Sequence, residues 1–434
     1  MNIKNQSKAG VKWTTSSTAV TASSQLLKIA ILTRFLEKSD FGLFAIVMLV
    51  LGLCNLFSDM GLTSAILHRQ KISRLEYSSL YWINFIFSIL LFVIVYILAP
   101  VVAEFYKEPE LLKLLPIVAV SLILSAIGRQ FKTISYKDLK FKLVSIIEII
   151  AEGFSLILAV ILSVYNWGVY ALVYSMLLQT FIANLLLLLI VGFKSDNRIS
   201  LHFRFNETKP FLKIGLYQVG GQVINYFNGE FDILIIGRLL GAEVLGGYSL
   251  AKQLVSKPIA LINPILTKVA SPILATLQTD LNRLKDNYLR LLSLVSCINL
   301  FVYVGLYLFA SPIVHLIYGV GYDNIVILVR ILSGYMFIRS IGNPIGSLLV
   351  ALGRTDLDFK WNFVVLLVMP VCIWIGCQWG VVSVALMELT LFIVLFPLSW
   401  KMLISNTIHA TFKEYFSSIC DVKVLFILLK NRNN

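Results

Sequence analysis

The feature that most constrains this chain is a succession of apolar runs, each of roughly 20 residues and poor in charge. As an α-helix, a run of that length crosses a hydrocarbon layer about 30 Å thick. No water reaches the backbone inside such a layer, so each run must satisfy its own N–H and C=O groups, and helix does so. Hydropathy places twelve spans, at 14–36, 41–66, 79–102, 111–129, 143–163, 168–192, 211–237, 244–272, 288–310, 325–352, 359–379 and 381–404. Composition points the same way. Of 434 residues 58% are hydrophobic and 14% charged, against about 45–50% and about 25% in soluble domains. The first apolar stretch lacks a small-residue cleavage site and leads straight into further spans, so a secretory signal peptide is not expected. The expected class is an all-α integral membrane protein.

The net charge of +14 is distributed by loop. One alternating set holds Lys4, Lys8 and Lys12, then Arg69, Lys71 and Arg74, then Arg129, Lys132, Lys137, Lys140 and Lys142. It continues through Lys194, Arg198, Arg204, Lys209 and Lys213, then Arg283, Lys285 and Arg290, then Arg354 and Lys360, and ends in the tail from Lys401. The other set holds only Lys38, Lys107, Lys113 and Arg238, with Arg34 at its edge. The positive-inside rule then places both termini in the cytoplasm, with the protein multi-pass in a bacterial inner membrane. No basic stretch forms a separate soluble module, so nucleic acid is not an expected partner.

The longest internal connection divides the chain into an N-terminal lobe of six helices (1–193), a cytoplasmic linker (194–210), a C-terminal lobe of six helices (211–404) and a cytoplasmic tail (405–434). A weak repeat relates the lobes. Arg34-Phe-Leu36 with Phe41-Gly-Leu-Phe44 aligns with Arg238-Leu-Leu240 and Leu245-Gly-Gly-Tyr248. Six helices per repeat give both lobes the same orientation, about an axis along the membrane normal. A transport site is expected at such an interface, around a central cavity.

Ionisable groups inside a bilayer are costly and usually mark a bundle interior or an aqueous path. Helix 1 carries Thr14, Ser17, Thr21, Ser24 and Lys28 on one face; helix 5 carries Ser145, Glu148, Glu152 and Ser155; helix 7 carries Gln218, Gln222, Asn225, Gly229 and Asp232. A lone Ser or Thr reads as interhelical packing, but a full stripe ending in a charge reads as cavity lining. The candidate substrate-cavity residues are Lys28, Arg339, Lys257, Lys252, Gln218, Gln222, Asn225 and Asp232. Glu148, Glu152 and Asp232 are candidates for ion coupling. In the repeat Lys28 falls on Asp232, and the two are expected to pair across the lobes when the outer side is closed and to separate when it opens; the alternative is that each pairs within its own lobe.

Other chemistry has little support. Five scattered cysteines and four single histidines give neither a disulfide framework nor a metal site. Walker A, Gly-x-Ser-x-Gly and His-Glu-x-x-His sequences are missing. No catalytic residues, cofactor or metal are expected, and an ion gradient or the membrane potential is the expected energy source.

Several segments carry a resemblance: "TRFLEKSDFGLFA", "FSDMGLTSAILHRQ", "FYKEPELLKLLP", "DILIIGRLLGAEVLGGYSLAKQL" and "LGRTDLDFKWN". Their order and spacing, from about residue 10 to 404, resemble the polysaccharide transporter family of the MOP exporter superfamily, in its Wzx-type, colanic-acid-exporter-like branch. The resemblance implies two six-helix lobes around a central, often cationic cavity. It also implies a flippase for undecaprenyl-pyrophosphate-linked oligosaccharide repeat units, serving O-antigen, capsule or exopolysaccharide synthesis. Polymerase and chain-length proteins of the same pathway would be its partners. Many members continue through two further helices, whereas here the apolar part of the tail, Val422–Leu429, is too short to span. A small-cation or drug antiporter of the same superfamily, centred on Asp232, Glu148 and Glu152, is the alternative, though the excess of Lys and Arg at mid-membrane favours an anionic substrate. A membrane polymerase or ligase would need a long outward loop, and those at 103–112 and 311–324 are short.

Overall fold

The apolar runs are helices, and their ends follow local chemistry. The computed structural model describes residues 3–59, 61, 63, 66, 69, 72–193 and 199–421, without the side chains of 3–12, 210, 212–218 and 263–273. Gln218, Lys194, Arg198 and the apolar tail segment 422–429 therefore lie outside what is described. The first six helices are α1 (Ile3–Leu32), α2 (Lys38–Asp59), α3 (Arg74–Tyr106), α4 (Leu111–Lys137), α5 (Phe141–Val164) and α6 (Val169–Leu187), the last continuing as a wider π turn to Gly192. A capping box starts α3: the Ser73 hydroxyl accepts from the Glu76 N–H, and Glu76 accepts from the Ser73 N–H at 2.7 Å. Asp40 of α2 accepts from the Val169 N–H at 2.9 Å and so caps α6. Gly168, at φ +53°, makes the turn beside it, where a side chain would be strained and would crowd the Asp40 carboxylate.

The seventh helix, α7 (Phe205–Thr276), is nominally 72 residues long but reverses at Gly241, whose φ of 85° and ψ of 172° are not helical. Tyr248 reaches Asp232, and Lys252 reaches Gly229, so the passes on either side of Gly241 run antiparallel. Then follow α8 (Leu281–Leu308), α9 (Ala310–Tyr318), α10 (Asp323–Ile341), α11 (Asn343–Ala351), α12 (Thr355–Cys377), α13 (Val381–Ser399, extended by a wide turn to Ser405) and, after a short turn, α14 (Phe412–Cys420). Among the described residues ten helices are long and apolar enough to cross a membrane. Counting the two passes of α7 separately and adding α1, too polar to qualify by composition alone, gives the twelve expected. Expected span 325–352 is broken at Gly342, with Pro344 at the start of α11.

The chain forms two compact units: Met1–Tyr226 with Gly241–Gly246, and Phe227–Leu240 with Gly247–Asn434. They divide inside α7, after Tyr226, whose hydroxyl donates to the Leu49 carbonyl at 2.6 Å. In the first unit α1 packs on α5, α5 on α6, and α4 on both α3 and α6, around Leu80, Phe131, Ile134, Val144 and Phe211. In the second, α10 packs on α8 and α13, and α12 on α13; Tyr288, Leu292, Leu348 and Ile404 lie in its core. The outward faces are apolar. On α3 Tyr96, Ile97 and Val101 are each at least 60% exposed, a surface that suits lipid rather than water. The protein is an all-α, multi-pass membrane protein.

Candidate functional site

Each unit buries its own set of charged side chains. In the first, the polar stripes of α1 and α5 meet. The Lys28 ammonium lies 3.1 Å from the Glu152 carboxylate and donates to the Ser155 hydroxyl at 2.8 Å. Ser155 donates in turn to the Ser175 carbonyl, and the Gln179 amide donates to Glu152. Lys28 retains 12% and Glu152 2% of side-chain exposure. Two hydroxyls of the α1 stripe bond back into its helix: Ser17 donates to the Thr14 carbonyl and Thr21 to that of Ser17. Of the two stripes, Lys28 and Glu152 are thus paired with each other. An intramembrane cation needs a counter-charge, and α5 supplies it. Glu148, one turn away, pairs with Lys132 of α4 at 2.7 Å.

A second polar group in this unit centres on Arg129 of α4. Its guanidinium donates to the Ser58 hydroxyl at 2.7 Å and to Asn55 at 3.0 Å. Asn84 donates to the Ser58 carbonyl at 2.6 Å. Arg129 and Lys132 read as loop charges in the sequence because they lie at and beyond the hydropathic end of span four. The helix instead continues to Lys137 and includes both.

In the second unit, Asp232 and Lys252 stand on the two passes of α7. The Lys252 ammonium lies 2.8 Å from Asp232 and 3.4 Å from Glu230, and donates to the Gly229 carbonyl at 2.6 Å. The Tyr248 hydroxyl lies 2.6 Å from Asp232 and 2.9 Å from Glu388 of α13. Asp232, Tyr248 and Glu388 are buried. Lys28 and Asp232 thus each pair inside their own unit, the alternative to the expected pairing across the lobes. Arg339 lies in the last turn of α10. It donates to the Tyr335 hydroxyl at 3.0 Å and lines a pocket of about 90 Å³ with Asp358, Trp361, Phe392 and Phe396. Lys257 is half-buried, whereas Gln222 and Asn225 on the first pass of α7 are exposed.

Sequence reasoning missed Glu388 and Tyr248. The signal for Glu388 was present: it is the one carboxylate in the apolar run 381–404, open to the same test that singled out Glu152. Tyr248 carried no signal, because an aromatic in a helix is usually packing. Among the described residues no cluster of His, Cys, Asp or Glu could hold a metal ion.

What these groups can do is hold charge inside apolar helices. Removing one partner of such a pair leaves the other buried and uncompensated, at a cost of about 3–5 kcal/mol. Such a set can neutralise an anionic group or respond to a change of protonation.

Comparison with known proteins places the chain. The family described as polysaccharide biosynthesis protein matches residues 31–327. The chain is 30% identical over 424 residues to the lipopolysaccharide biosynthesis protein WzxC of Escherichia coli (strain K12), covering 96% of this chain and 85% of that protein. It is 29% identical over 419 residues to the teichuronic acid biosynthesis protein TuaB of Bacillus subtilis (strain 168), covering 96% and 86%. Among solved structures, the lipid II flippase MurJ in an inward closed conformation superposes with a TM-score of 0.73 at 17% identity, over 97% of this chain and 92% of that one. An inward-facing multidrug resistance MATE family transporter of the MOP superfamily superposes at 0.66 and 17%, over 91% and 99%. The fold is that of these transporters, and the chain belongs to the polysaccharide biosynthesis protein family.

Proposed function

We propose that this protein is a flippase that carries undecaprenyl-pyrophosphate-linked oligosaccharide repeat units from the cytoplasmic to the periplasmic leaflet of a bacterial inner membrane. One observation carries the reading: the kinship to polysaccharide biosynthesis proteins runs along nearly the whole chain, on a fold shared with a lipid II flippase. The chemistry agrees. A pyrophosphate needs cations, sugars need hydroxyl and amide partners, and a polyprenyl tail can remain in lipid.

Arg339 is the cation best placed to meet a phosphate. Its donation goes to a phenol rather than to a carboxylate, and it borders a pocket. Lys28 and Lys252 are held by Glu152 and Asp232 and serve to keep each unit's interior neutral. Lys257, Gln218, Gln222 and Asn225 are further candidates for the sugar-phosphate path. The loop charges support cytoplasmic termini. The antiporter alternative shares the fold but not the family match.

Deleting the gene is expected to abolish the surface polymer and to accumulate lipid-linked repeat units facing the cytoplasm. Normal polymer combined with altered drug sensitivity would favour the antiporter instead.

A further inference from the structure

The hydrogens around Tyr248 do not suffice for the contacts it makes. Its hydroxyl has one proton, yet it lies 2.6 Å from Asp232 and 2.9 Å from Glu388. If both carboxylates were ionised, one of these contacts would set two oxygens against each other with nothing between them. Lys252 cannot supply the proton. Its three N–H groups are directed at Gly229, Asp232 and Glu230.

The two carboxylates differ in what holds a negative charge. Asp232 accepts from the Lys252 ammonium at 2.8 Å and from the Ile233 N–H at 2.8 Å. Glu388 is fully buried, and its Oε1 has no hydrogen-bond partner. A buried anion lacking donors is strongly disfavoured; a carboxylic acid in the same place is not.

We infer that Glu388 is a proton-binding site: its carboxyl is held as the neutral acid and donates to the Tyr248 hydroxyl, which donates to ionised Asp232. The charged and titratable groups facing Glu388 are Asp232, Tyr248, Lys252 and Arg339, with Tyr335 on α10 and Cys377 on α12. With Glu388 neutral, the cations Lys252 and Arg339 balance the anions Asp232 and Glu230. With Glu388 ionised, the cluster carries an uncompensated buried charge. Binding is simple: the carboxylate takes one proton from water and releases it again. Releasing it forces the contacts among the two passes of α7 and α13 to rearrange, because the Tyr248 proton can then serve only one carboxylate. This site lies beyond the transport reading and does not depend on it.

The test is infrared difference spectroscopy on the full-length protein in nanodiscs. The wild type is expected to show, at neutral pH, the C=O stretch of a water-shielded carboxylic acid. That band should vanish in Glu388→Gln and persist, shifted in frequency, in Tyr248→Phe. A wild type without the band, or a band unchanged in Glu388→Gln, would overturn the proposal. Thermal stability gives a second reading. Glu388→Gln mimics the neutral acid and should keep the wild-type unfolding midpoint, while Glu388→Ala should lower it. A Glu388→Gln midpoint as low as that of Glu388→Ala would mean that the ionised form is required, which also overturns it. So would stabilisation of the wild type by sodium over choline at constant ionic strength without an acid band, because a metal cation would then be the neutralising species.

Discussion

The Lys28 ammonium and the Glu152 carboxylate, contributed by α1 and α5, lie 3.1 Å apart with little access to solvent. Their value is conditional. Desolvating two charges costs nearly what their attraction returns, so an apolar pair of similar volume can replace both, whereas a lone survivor cannot be accommodated. Lys28→Met or Glu152→Leu alone is expected to destabilise by about 3–5 kcal/mol, and the double variant to recover most of that. Thermal melting of the purified variants, followed by size-exclusion fluorescence, measures it. A double variant as unstable as the sum of the singles would show that the two residues act independently.

A second ion pair holds the short helix α14 against α8. The Glu414 carboxyl is brought down to about 2 by the Lys285 ammonium at 2.8 Å and by the Thr411 N–H and hydroxyl. A carboxylate with a lowered folded-state value contributes stability above its ordinary value of 4.5, and that contribution is lost as pH falls toward 2. Acidifying from pH 7 to 5 should therefore leave the docking of α14 unchanged. Glu414→Gln should loosen it at pH 7, read as faster amide hydrogen exchange across Phe412–Cys420. Because Glu414 is solvent-exposed, the effect should be modest and should shrink with salt. Faster exchange in the wild type already at pH 5 would contradict the assignment.

Orientation can be read with thiol labelling. Leu201 and Val320 are 95% and 97% exposed, one in the basic connection before α7, the other in the loop after α9. Four native cysteines are buried or half-buried, so replacing the exposed Cys420 by serine gives a quiet background. In intact spheroplasts an impermeant maleimide should label Val320→Cys. Leu201→Cys should react only after the membrane is opened. The reverse pattern would invert the topology.

The sequence announced the helices because lipid removes the ambiguity that water leaves: an apolar run must be helical and must be long enough. The same reasoning found Lys28, Glu152, Asp232 and Lys252 as costly intramembrane charges. Their partners were less legible. Which face of α1 meets which face of α5 depends on packing between segments more than a hundred residues apart, and no spacing within one helix encodes it. Gly241 shows the converse. It falls in the gap 238–243 that hydropathy leaves between two spans, and there it adopts positive φ and turns the chain. Arg129 was misplaced because hydropathy marks where apolar residues stop, whereas the helix ends only where its backbone does, at Lys137.

Arg339 and Lys252 lie in the same unit but should answer mutation differently. Lys252 spends all three N–H groups on Gly229, Asp232 and Glu230, so Lys252→Ala leaves Asp232 buried without its cation and should damage folding before transport is reached. Arg339 donates a hydrogen bond to Tyr335 and lines the edge of a pocket. Guanidinium N–H groups suit phosphate oxygens, and one charge-assisted hydrogen bond contributes about 1.5–3 kcal/mol, about ten- to hundredfold in affinity. Arg339→Ala is therefore expected to insert, to melt below the wild type because it also removes a counter-charge of Asp232 and Glu230, and to lose export of the repeat unit per inserted protein by about that factor. Arg339→Lys should recover part of the loss, since it keeps the charge without the planar fork. Complementation of a deletion strain, with polymer measured per unit of membrane-inserted protein, separates the two residues. Full export by Arg339→Ala would return this arginine to a structural contact with Tyr335.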